Sequence, residues 1–415
     1  MDAEIIAIGS ELLTPHRQDT NSLFLTGRLN ELGVEVRFKT VVGDRRANLV
    51  SVARTALGRA GIIIFMGGLG PTEDDLTREC VAEALDLELR RDPQIIADLY
   101  KRFAARLMKM PANNERQAEV ISGAEILPNP NGTAPGQFLR IQSAGEQKFV
   151  ILLPGPPNEL KAMFDQECVE RLRALVPPQH IASRVLKVAM IPESQCDARV
   201  APIYTRHSQV ETTILAGAGE VQLHLRARAG SRDQAEERIA MLAEELEDEL
   251  AELVFSRGGE SLEQIVGYFL QLHSATVAVA ESCTGGLLAQ RITKISGSSR
   301  YFLGGAVVYS NEMKTQFAGV AAEMIAKHGA VSEQVARALA EGIRKRCGAT
   351  YGLGVTGIAG PAGGSEQKPV GLVFHALADG KKTEVVERKF PGDRERIRWF
   401  ASQQALDMLR RKLMD

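Results

Sequence analysis

The chain has 415 residues, of which 44% are hydrophobic and 25% charged, and its formal net charge is -2. This length exceeds one ordinary hydrophobic core, so two or three domains are expected, with the composition of a soluble globular protein. The near-neutral charge gives no indication of direct nucleic-acid binding.

Cysteine usage and the N-terminus indicate the compartment. The five cysteines are scattered without a Cys-x-x-Cys pair, which argues for a reducing compartment and against a disulfide framework or a zinc cluster. Residues 1–13 (MDAEIIAIGSELL) lack a basic segment and a long apolar run, so a signal peptide is not expected. No stretch approaches the roughly 18 apolar residues of a membrane span. We therefore expect a cytoplasmic protein without membrane association.

Residues 1–178 alternate between predicted strands and helices. The apolar run 3–8 predicts a buried strand, and the spacing of apolar residues predicts a helix over 19–32 with Asp19 or Thr20 as N-cap. Such alternation predicts an α/β fold with a parallel sheet and helices on both faces. The further predicted elements are strands 34–42 and 61–66 and helices 45–60, 73–86 and 156–174.

The remaining chain divides into two parts with different patterns. Residues 179–257 predict a small βαββα middle domain whose acidic helix we interpret as a solvated face, and residues 256–260 (SRGGE) predict a linker. Residues 258–415 predict a second α/β domain. Its predicted elements are strands 275–280, 303–309 and 350–356, two strands within 370–390, and helices 261–273, 286–294, 332–347 and 393–413.

A segment rich in glycine and carboxylates, residues 67–77 (GGLGPTEDDLT), follows the strand at 61–66. Glycines let backbone N–H groups approach an anion, and the following helix, with Thr72 as predicted N-cap, adds partial positive charge. Asp74 and Asp75 would repel a phosphate unless a hard cation lies between them, which suggests Mg²⁺ or a similar divalent metal. The alternative is a glycine turn whose carboxylates stabilise the helix macrodipole.

A serine turn, residues 280–286 (AESCTGG), follows the strand at 275–280. Such a turn exposes a hydroxyl, and its free N–H groups could hold a phosphate or stabilise an oxyanion. Ser282 and Cys283 are adjacent candidate nucleophiles, and a serine needs a base. We interpret Cys283 as small packing behind the serine.

The segment 308–314 (VYSNEMK) ends a predicted strand. Lys314, if partly desolvated, could have a lowered pKa and act as base to Ser282, and Tyr309 could relay the proton. The alternative for a single lysine or tyrosine is a surface or core position without a chemical role.

Two later segments add candidate binding groups. The loop 356–371 (TGIAGPAGGSEQKPVG) offers the hydroxyl of Thr356 and several N–H groups. In the segment 390–398 (FPGDRERIR), Arg394 and Arg398 are four residues apart and share one helical face. A bidentate guanidinium suits the phosphate of a mononucleotide.

The string GGLGPTEDDLT resembles the molybdopterin-binding-type fold of molybdenum-cofactor biosynthesis enzymes. Together with GSELL at 9–13 and DTN at 19–21, it resembles the N-terminal domain of the CinA family (competence/damage-inducible protein A). The resemblance implies metal-dependent hydrolysis of ADP-ribose to AMP and ribose 5-phosphate, with Asp74 and Asp75 at the metal. The implied nucleotide contacts are Gly9, Ser10, Glu11, Asn21, Gly68, Gly70, Pro71 and Thr72.

Residues 14–17 (TPHR) depart from the apolar and glycine residues that are frequent there in the family. Their positive charge could touch the phosphates, and the alternative is a mobile surface turn.

The segments 280–286, 308–314, 356–371 and 390–398 lie within about 260–415. Their order resembles that of the CinA C-terminal domain and of the stand-alone PncC-type nicotinamide mononucleotide deamidases. The resemblance implies conversion of nicotinamide mononucleotide and water to nicotinate mononucleotide and ammonia, without a cofactor. It implies Ser282 as nucleophile, with Tyr309 and Lys314 as catalytic partners. The implied substrate contacts are Thr284, Gly285, Gly286, Asn311, Thr356, Gly357, Gly360, Arg394 and Arg398.

The resemblance covers essentially the whole chain and predicts a bifunctional hydrolase of pyridine-nucleotide salvage. Its expected partners are the two small nucleotides, with no direct nucleic-acid contact, and a homodimer is expected from the family. Two alternatives stay open: an interaction protein of DNA uptake or recombination, and an N-terminal domain that binds molybdopterin without hydrolysis.

Overall fold

The computed structural model describes residues 1–143 and 145–414, which form two compact units. Unit 1 comprises residues 1–182 and 228–235, and unit 2 comprises residues 183–227 and 236–415. Within these described ranges, no helix combines the length and the apolar character that a membrane span requires.

Unit 1 contains a six-stranded sheet in the order β2-β1-β3-β8-β7-β6 and a separate antiparallel pair, β4 and β5. The pairs formed by β1, β2, β3 and β8 are parallel, whereas β6, β7 and β8 pair antiparallel. The strands are β1 (Asp2–Ile8), β2 (Glu35–Val42), β3 (Ile62–Met66), β4 (Leu89–Arg91), β5 (Glu119–Ile121), β6 (Glu125–Leu127), β7 (Gly136–Ser143) and β8 (Glu146–Leu153).

Helices cover both faces of this sheet because its central strands are apolar on both sides. Alternate residues of β1 enter different cores: Ile5 packs into one cluster and Ile6 into the other. A mainly parallel sheet buried in this way confirms the predicted α/β class. The helices are α1 (Asn21–Glu31), α2 (Arg46–Arg59), α3 (Thr77–Leu85), α4 (Pro93–Ala105), α5 (Pro157–Met163) and α6 (Val169–Leu175).

One predicted helix start in unit 1 is wrong, and a second predicted helix is present but irregular. The helix after the glycine segment begins at Thr77, so Thr72 is not its N-cap, and Asp74 and Asp75 do not lie in its first turn. Instead, Oδ2 of Asp75 accepts a hydrogen bond from the Thr72 N–H at 2.9 Å, which forms a local turn. The predicted helix 156–174 is interrupted by a π-helical stretch at Phe164–Cys168.

The middle module belongs mostly to unit 2, and its four-stranded sheet has the order β10-β11-β9-β12. The predicted βαββα order is present, but the predicted linker at 256–260 starts inside a fourth strand, in which Val254 pairs with Val188. The Ser256 hydroxyl then accepts from the Gly259 N–H at 2.9 Å, so this segment is an ordered turn. The elements are β9 (His180–Ala189), α7 (Glu193–Tyr204), β10 (Val210–Gly217), β11 (Glu220–Ala229), α8 (Arg232–Leu250) and β12 (Val254–Ser256).

The second sheet of unit 2 has the order β14-β13-β15-β16-β17. Strands β13, β14 and β15 are parallel, and β16 and β17 complete the sheet antiparallel. The strands are β13 (Val277–Glu281), β14 (Phe302–Val307), β15 (Tyr351–Gly357), β16 (Leu372–Ala378) and β17 (Thr383–Lys389). The helices are α9 (Leu262–Leu272), α10 (Leu287–Thr293), α11 (Asn311–Ala318), α12 (Ala322–His328), α13 (Glu333–Cys347) and α14 (Arg394–Met414).

Both faces of this sheet are again covered. Val279 of β13 belongs to the core that includes α9 and α14, whereas its neighbour Ala280 packs with α11 and α13. The sequence analysis misses α11 and α12, because each is short and carries only a weak apolar repeat.

Candidate functional site

Ser282, the candidate nucleophile, lies where three parallel strands end. It directly follows β13, and its backbone N–H donates to the Val355 carbonyl of β15 at 2.9 Å. On the other side the Val308 N–H, just beyond β14, donates to the Glu281 carbonyl at 2.7 Å. Ser282 is 8% exposed, and across the described residues its hydroxyl has no hydrogen-bond partner. The carboxyl ends of strands in open α/β sheets are the usual place for such groups.

A buried carboxylate closes the turn after β13. Oε2 of Glu281 accepts from the Gly286 and Leu288 N–H groups at 3.0 Å each, and Oε1 accepts from the Ala289 N–H at 2.8 Å. Gly285 and Gly286 have φ of 59° and 93°, a region that favours glycine. These three N–H groups are therefore not free for a phosphate. Gly286 is the one among them that lies in the predicted turn, and a role of the other N–H groups of that turn stays a prediction. The sequence analysis misses Glu281, although an acidic residue before a turn into a helix is a usable signal.

Ser310 positions Lys314 under the same strand ends. The Ser310 hydroxyl caps α11 by accepting from the Met313 N–H at 3.2 Å. Lys314, in the first turns of that helix, is 2% exposed, and its Nζ donates to the carbonyl oxygens of Val308 at 3.0 Å and Tyr309 at 3.2 Å. Burial lowers the pKa of Lys314 below its ordinary value of 10.5.

Lys314 is buried close to the turn but is not bonded to the candidate nucleophile. Its Nζ forms no hydrogen bond with Ser282 within the described ranges. Burial raises the pKa of the Cys283 thiol to about 12, which agrees with a packing role rather than a nucleophilic one. The role of Lys314 as base stays a prediction.

Two guanidinium groups from the start of α14 approach the site. Arg398 donates through Nε at 3.1 Å and Nη2 at 2.7 Å to the Thr284 carbonyl. Arg394 donates through Nη1 to the Gly360 carbonyl and through Nη2 to the Tyr309 hydroxyl, both at 2.7 Å. In the part of the chain that the structure describes, neither arginine forms an ion pair with a carboxylate. Their charge is therefore available to an anionic ligand.

The other predicted site residues differ in whether their side chains already have a partner. The Tyr309 hydroxyl accepts from Arg394 rather than joining Lys314 to Ser282, so the predicted proton relay lacks the required contacts. Thr356 is fully buried and donates to the Ala330 carbonyl at 2.7 Å. A Cβ at Gly357 would lie 2.7 Å from the Leu372 carbonyl oxygen, and one at Gly360 would lie 2.6 Å from Val370, so both glycines are closely packed. Thr284 is buried, and its hydroxyl has no hydrogen-bond partner among the described residues, whereas Asn311 is exposed.

Unit 1 has a cavity of about 560 Å³ beside the ends of β1, β3 and β8. Asn21 donates from Nδ2 to the Gly155 carbonyl at 2.8 Å, while its buried Oδ1 has no partner among the residues described. An unpaired buried oxygen beside a cavity favours a ligand that donates a hydrogen bond. The lining residues are Ile8, Glu11, Leu12, Arg17, Gln18, Asp19, Thr20, Asn21, Met66, Gly155, Pro156 and Pro157.

Only part of the predicted nucleotide set lies in this lining. Glu11 and Asn21 do, and so does Arg17, which the sequence analysis left between a phosphate contact and a surface turn. The predicted contacts outside the lining are Gly9, Ser10, Gly68, Gly70, Pro71 and Thr72. The Gly155-Pro156-Pro157 turn is a lining segment that the sequence analysis treats only as a helix start.

The glycine segment of unit 1 packs against its own side chains. A Cβ at Gly68 would lie 2.2 Å from Oγ1 of Thr77, and one at Gly70 would lie 2.4 Å from Oδ2 of Asp75. Arg78 is fully buried and donates to the Leu69 carbonyl at 2.6 Å, and burial lowers its pKa to about 10. These glycines therefore allow close packing within the protein. Their predicted contact with a nucleotide stays a prediction.

The donors for the predicted divalent metal are incomplete. Both carboxylates are engaged locally, because Asp75 accepts from Thr72 and a hydrogen bond with Thr72 also lowers the pKa of Asp74. Within residues 1–143 and 145–414, no group of three or more His, Cys, Asp or Glu side chains converges in a way that could hold a metal ion. The residues present do not fit a protein-built metal site, so the metal at Asp74 and Asp75 stays a prediction and no chemical step is assigned to it.

Three family models match consecutive parts of the chain. They are a probable molybdopterin binding domain at residues 4–174, the damage-inducible protein CinA KH domain at 183–256 and the CinA C-terminal domain at 259–413.

Similar full-length proteins carry the same family name. A CinA-like protein of Koribacter versatilis is 64% identical over 414 residues, covering 100% of both chains. A putative competence-damage inducible protein of Moorella thermoacetica is 44% identical over 415 residues, covering 100% of this chain and 99% of that protein. Thus the fold defines an α/β protein of two units. The chain belongs to the CinA family.

Solved structures match parts of the chain. The competence/damage inducible protein CihA from Agrobacterium tumefaciens is 38% identical with a TM-score of 0.36, covering 37% of this chain and 94% of that one. The tungsten cofactor synthesizing protein MoaB from Pyrococcus furiosus is 18% identical with a TM-score of 0.30, covering 42% of this chain and 94% of that one.

Proposed function

We propose that unit 2 hydrolyses the carboxamide of nicotinamide mononucleotide to give nicotinate mononucleotide and ammonia. The observation that carries the proposal is the bond from Arg398 to the Thr284 carbonyl, in the turn that bears Ser282, with Arg394 four residues earlier on the same helix. Among the described residues, neither arginine is paired with a carboxylate. A phosphate held by these guanidinium groups would place the rest of a mononucleotide beside the Ser282 hydroxyl.

The reaction is an acyl transfer in two steps. Oγ of Ser282 attacks the carboxamide carbon, and its proton passes to the neutral amine of Lys314, whose lowered pKa favours that form. The C–N bond breaks and ammonia leaves with the proton that Lys314 returns. Water then attacks the acyl-serine ester, releases nicotinate mononucleotide and restores the hydroxyl.

Ammonia release tests this proposal. Purified protein is incubated with nicotinamide mononucleotide, with and without a chelator, and compared with Ser282→Ala. We expect metal-independent ammonia release that the variant lacks. If well-folded wild-type protein releases no ammonia, the assignment of unit 2 as a deamidase is wrong.

We also propose that unit 1 binds ADP-ribose and hydrolyses it to AMP and ribose 5-phosphate. The supporting observation is the cavity lined by Glu11, Arg17 and Asn21, where a cation and an unpaired amide oxygen face the same space. AMP production is measured by chromatography with Mg²⁺ and with chelator, and Asn21→Ala should lower it. Separate titrations of ADP-ribose and molybdopterin distinguish hydrolysis from binding alone: molybdopterin binding without AMP production would refute the hydrolase.

A further inference from the structure

Glu281 is a buried carboxylate that the deamidation scheme does not use. It is 1% exposed, and throughout the described ranges it forms no ion pair with a basic side chain. Its oxygens instead accept from three backbone N–H groups, those of Gly286 and Leu288 at 3.0 Å and that of Ala289 at 2.8 Å. A buried charge is costly unless hydrogen bonds satisfy it, so the carboxylate and these amides fix one another's positions.

The helix whose N–H groups make these bonds is too short to be stable without contacts to the rest of the protein. Helix α10 has seven residues, and isolated helices shorter than about 12 residues are marginal in water. Near its other end, Arg291 is buried and donates to Glu263 at 2.5 Å and to Ser402 at 2.8 Å. Buried charges therefore hold both ends of α10, and Glu281 determines where the helix starts relative to β13.

We propose that Glu281 is a positioning residue for Ser282, an inference that rests on the proposed deamidase function. Its carboxylate ties the start of α10 to the end of β13 and so holds the turn between them. The Ser282 N–H, bonded to Val355 at 2.9 Å, anchors one side of that turn. Gly285 and Gly286 adopt positive φ without strain, but glycine is also conformationally free, so the turn depends on these bonds to stay in one arrangement.

The same bonds determine where a phosphate does not bind. The amides at a helix N-terminus are ordinary phosphate donors, but here the Glu281 carboxylate occupies them and repels a second anion. The proposed phosphate contacts, Arg394 and Arg398, lie on α14 and form no hydrogen bond or ion pair with Glu281 among the described residues. Disturbing Glu281 is therefore expected to change turnover rather than substrate affinity.

Glu281→Gln tests this inference because glutamine keeps the shape but turns an NH₂ donor toward the amides. We expect kcat for nicotinamide mononucleotide to fall about 100-fold, with KM changed less than about threefold, since a misplacement of about 1 Å has that effect on a rate. Glu4→Gln is the control: it is the same substitution at a fully buried carboxylate of unit 1, which pairs with Arg59 at 2.6 Å and lies outside unit 2. This control should lower the melting temperature and keep kcat.

A second measurement separates this inference from the substrate assignment. The rate at which phenylmethanesulfonyl fluoride labels Ser282, followed by mass spectrometry of the peptide, depends on the same hydroxyl but on no nucleotide. Slower labelling of Glu281→Gln in a protein that releases no ammonia would support the positioning role and refute the deamidase.

Wild-type kcat and labelling rate in a folded Glu281→Gln protein would overturn the inference. If that variant does not fold, Glu281→Asp replaces it, because it keeps the charge but shortens the reach to α10. The same losses are expected, and wild-type values would again overturn the positioning role.

Discussion

Removing the Arg398 guanidinium should weaken binding of a mononucleotide through its phosphate. Arg398 donates from Nε and Nη2 to the Thr284 carbonyl, at 3.1 and 2.7 Å, so its Nη1 can donate to a ligand. A hydrogen bond to a charged group is worth about 1.5–3 kcal/mol, and about 1.4 kcal/mol is a factor of ten. We therefore expect Arg398→Ala to raise KM for nicotinamide mononucleotide about 10- to 150-fold.

The assay compares nicotinamide mononucleotide with nicotinamide riboside, which lacks the phosphate. Wild-type protein should prefer the nucleotide, and Arg398→Ala should lose most of that preference. Arg396→Ala is the matched control, because Arg396 is an exposed arginine of the same helix whose guanidinium carbon lies 5.6 Å from the Phe400 ring centre. Its kinetic constants should stay within about twofold of wild type.

The comparison of substrates also separates two roles of Arg398. If the variant lowers kcat/KM for both substrates by the same factor, Arg398 acts through the Thr284 carbonyl and the turn. That result would refute the phosphate assignment.

The buried amine, the ring beside it and the thiol next to Ser282 each give one further prediction. Because burial lowers the pKa of Lys314 and the neutral amine accepts the proton, kcat/KM should rise with pH through a pKa below 10.5, and Lys314→Met should lack this rise in a pH–rate profile. The Tyr309 hydroxyl bonds to Arg394, so Tyr309→Phe should raise KM modestly and keep kcat. A loss of about 100-fold in kcat would instead support the proton relay predicted from the sequence. The Cys283 thiol, with a pKa near 12, should resist iodoacetamide at about pH 8, and Cys283→Ala should keep its turnover; inactivation by alkylation at Cys283 would contradict the packing role.

Much of the fold follows from sequence patterns that depend on neighbouring residues alone. The run Ile62–Met66 is apolar throughout, and such runs between amphipathic segments identify central strands of a sheet covered on both faces. The start of α3 could not be predicted in the same way. Thr72 and Asp75 satisfy each other in a turn, and that pattern of polar residues also fits a helix N-terminus.

The candidate site shows the same limit more strongly. Ser282 and Arg398 lie more than 100 residues apart in the sequence, and only the resemblance to a family placed them in one site. The backbone N–H groups that bond to Glu281 lie five to eight residues after it in the sequence, and their distances from its carboxylate depend on the conformation of two glycines. Thr356 has the hydroxyl that a ligand contact needs, yet its bond to Ala330 comes from a packing arrangement that no local pattern encodes.

Helix α14 carries the two arginines of the candidate site at its start and contacts the middle module near its end. Its 21 residues span about 30 Å, with Arg394 and Arg398 at the start. Toward its end, Arg410 donates to the Glu252 carbonyl at 2.7 Å, just after the long helix of the middle module. A tilt of about 2° around that end moves the first turn by about 1 Å, a distance that matters for catalysis. The contact between the middle module and this helix therefore fixes the positions of the two guanidinium groups, although it lies far from the site of the reaction.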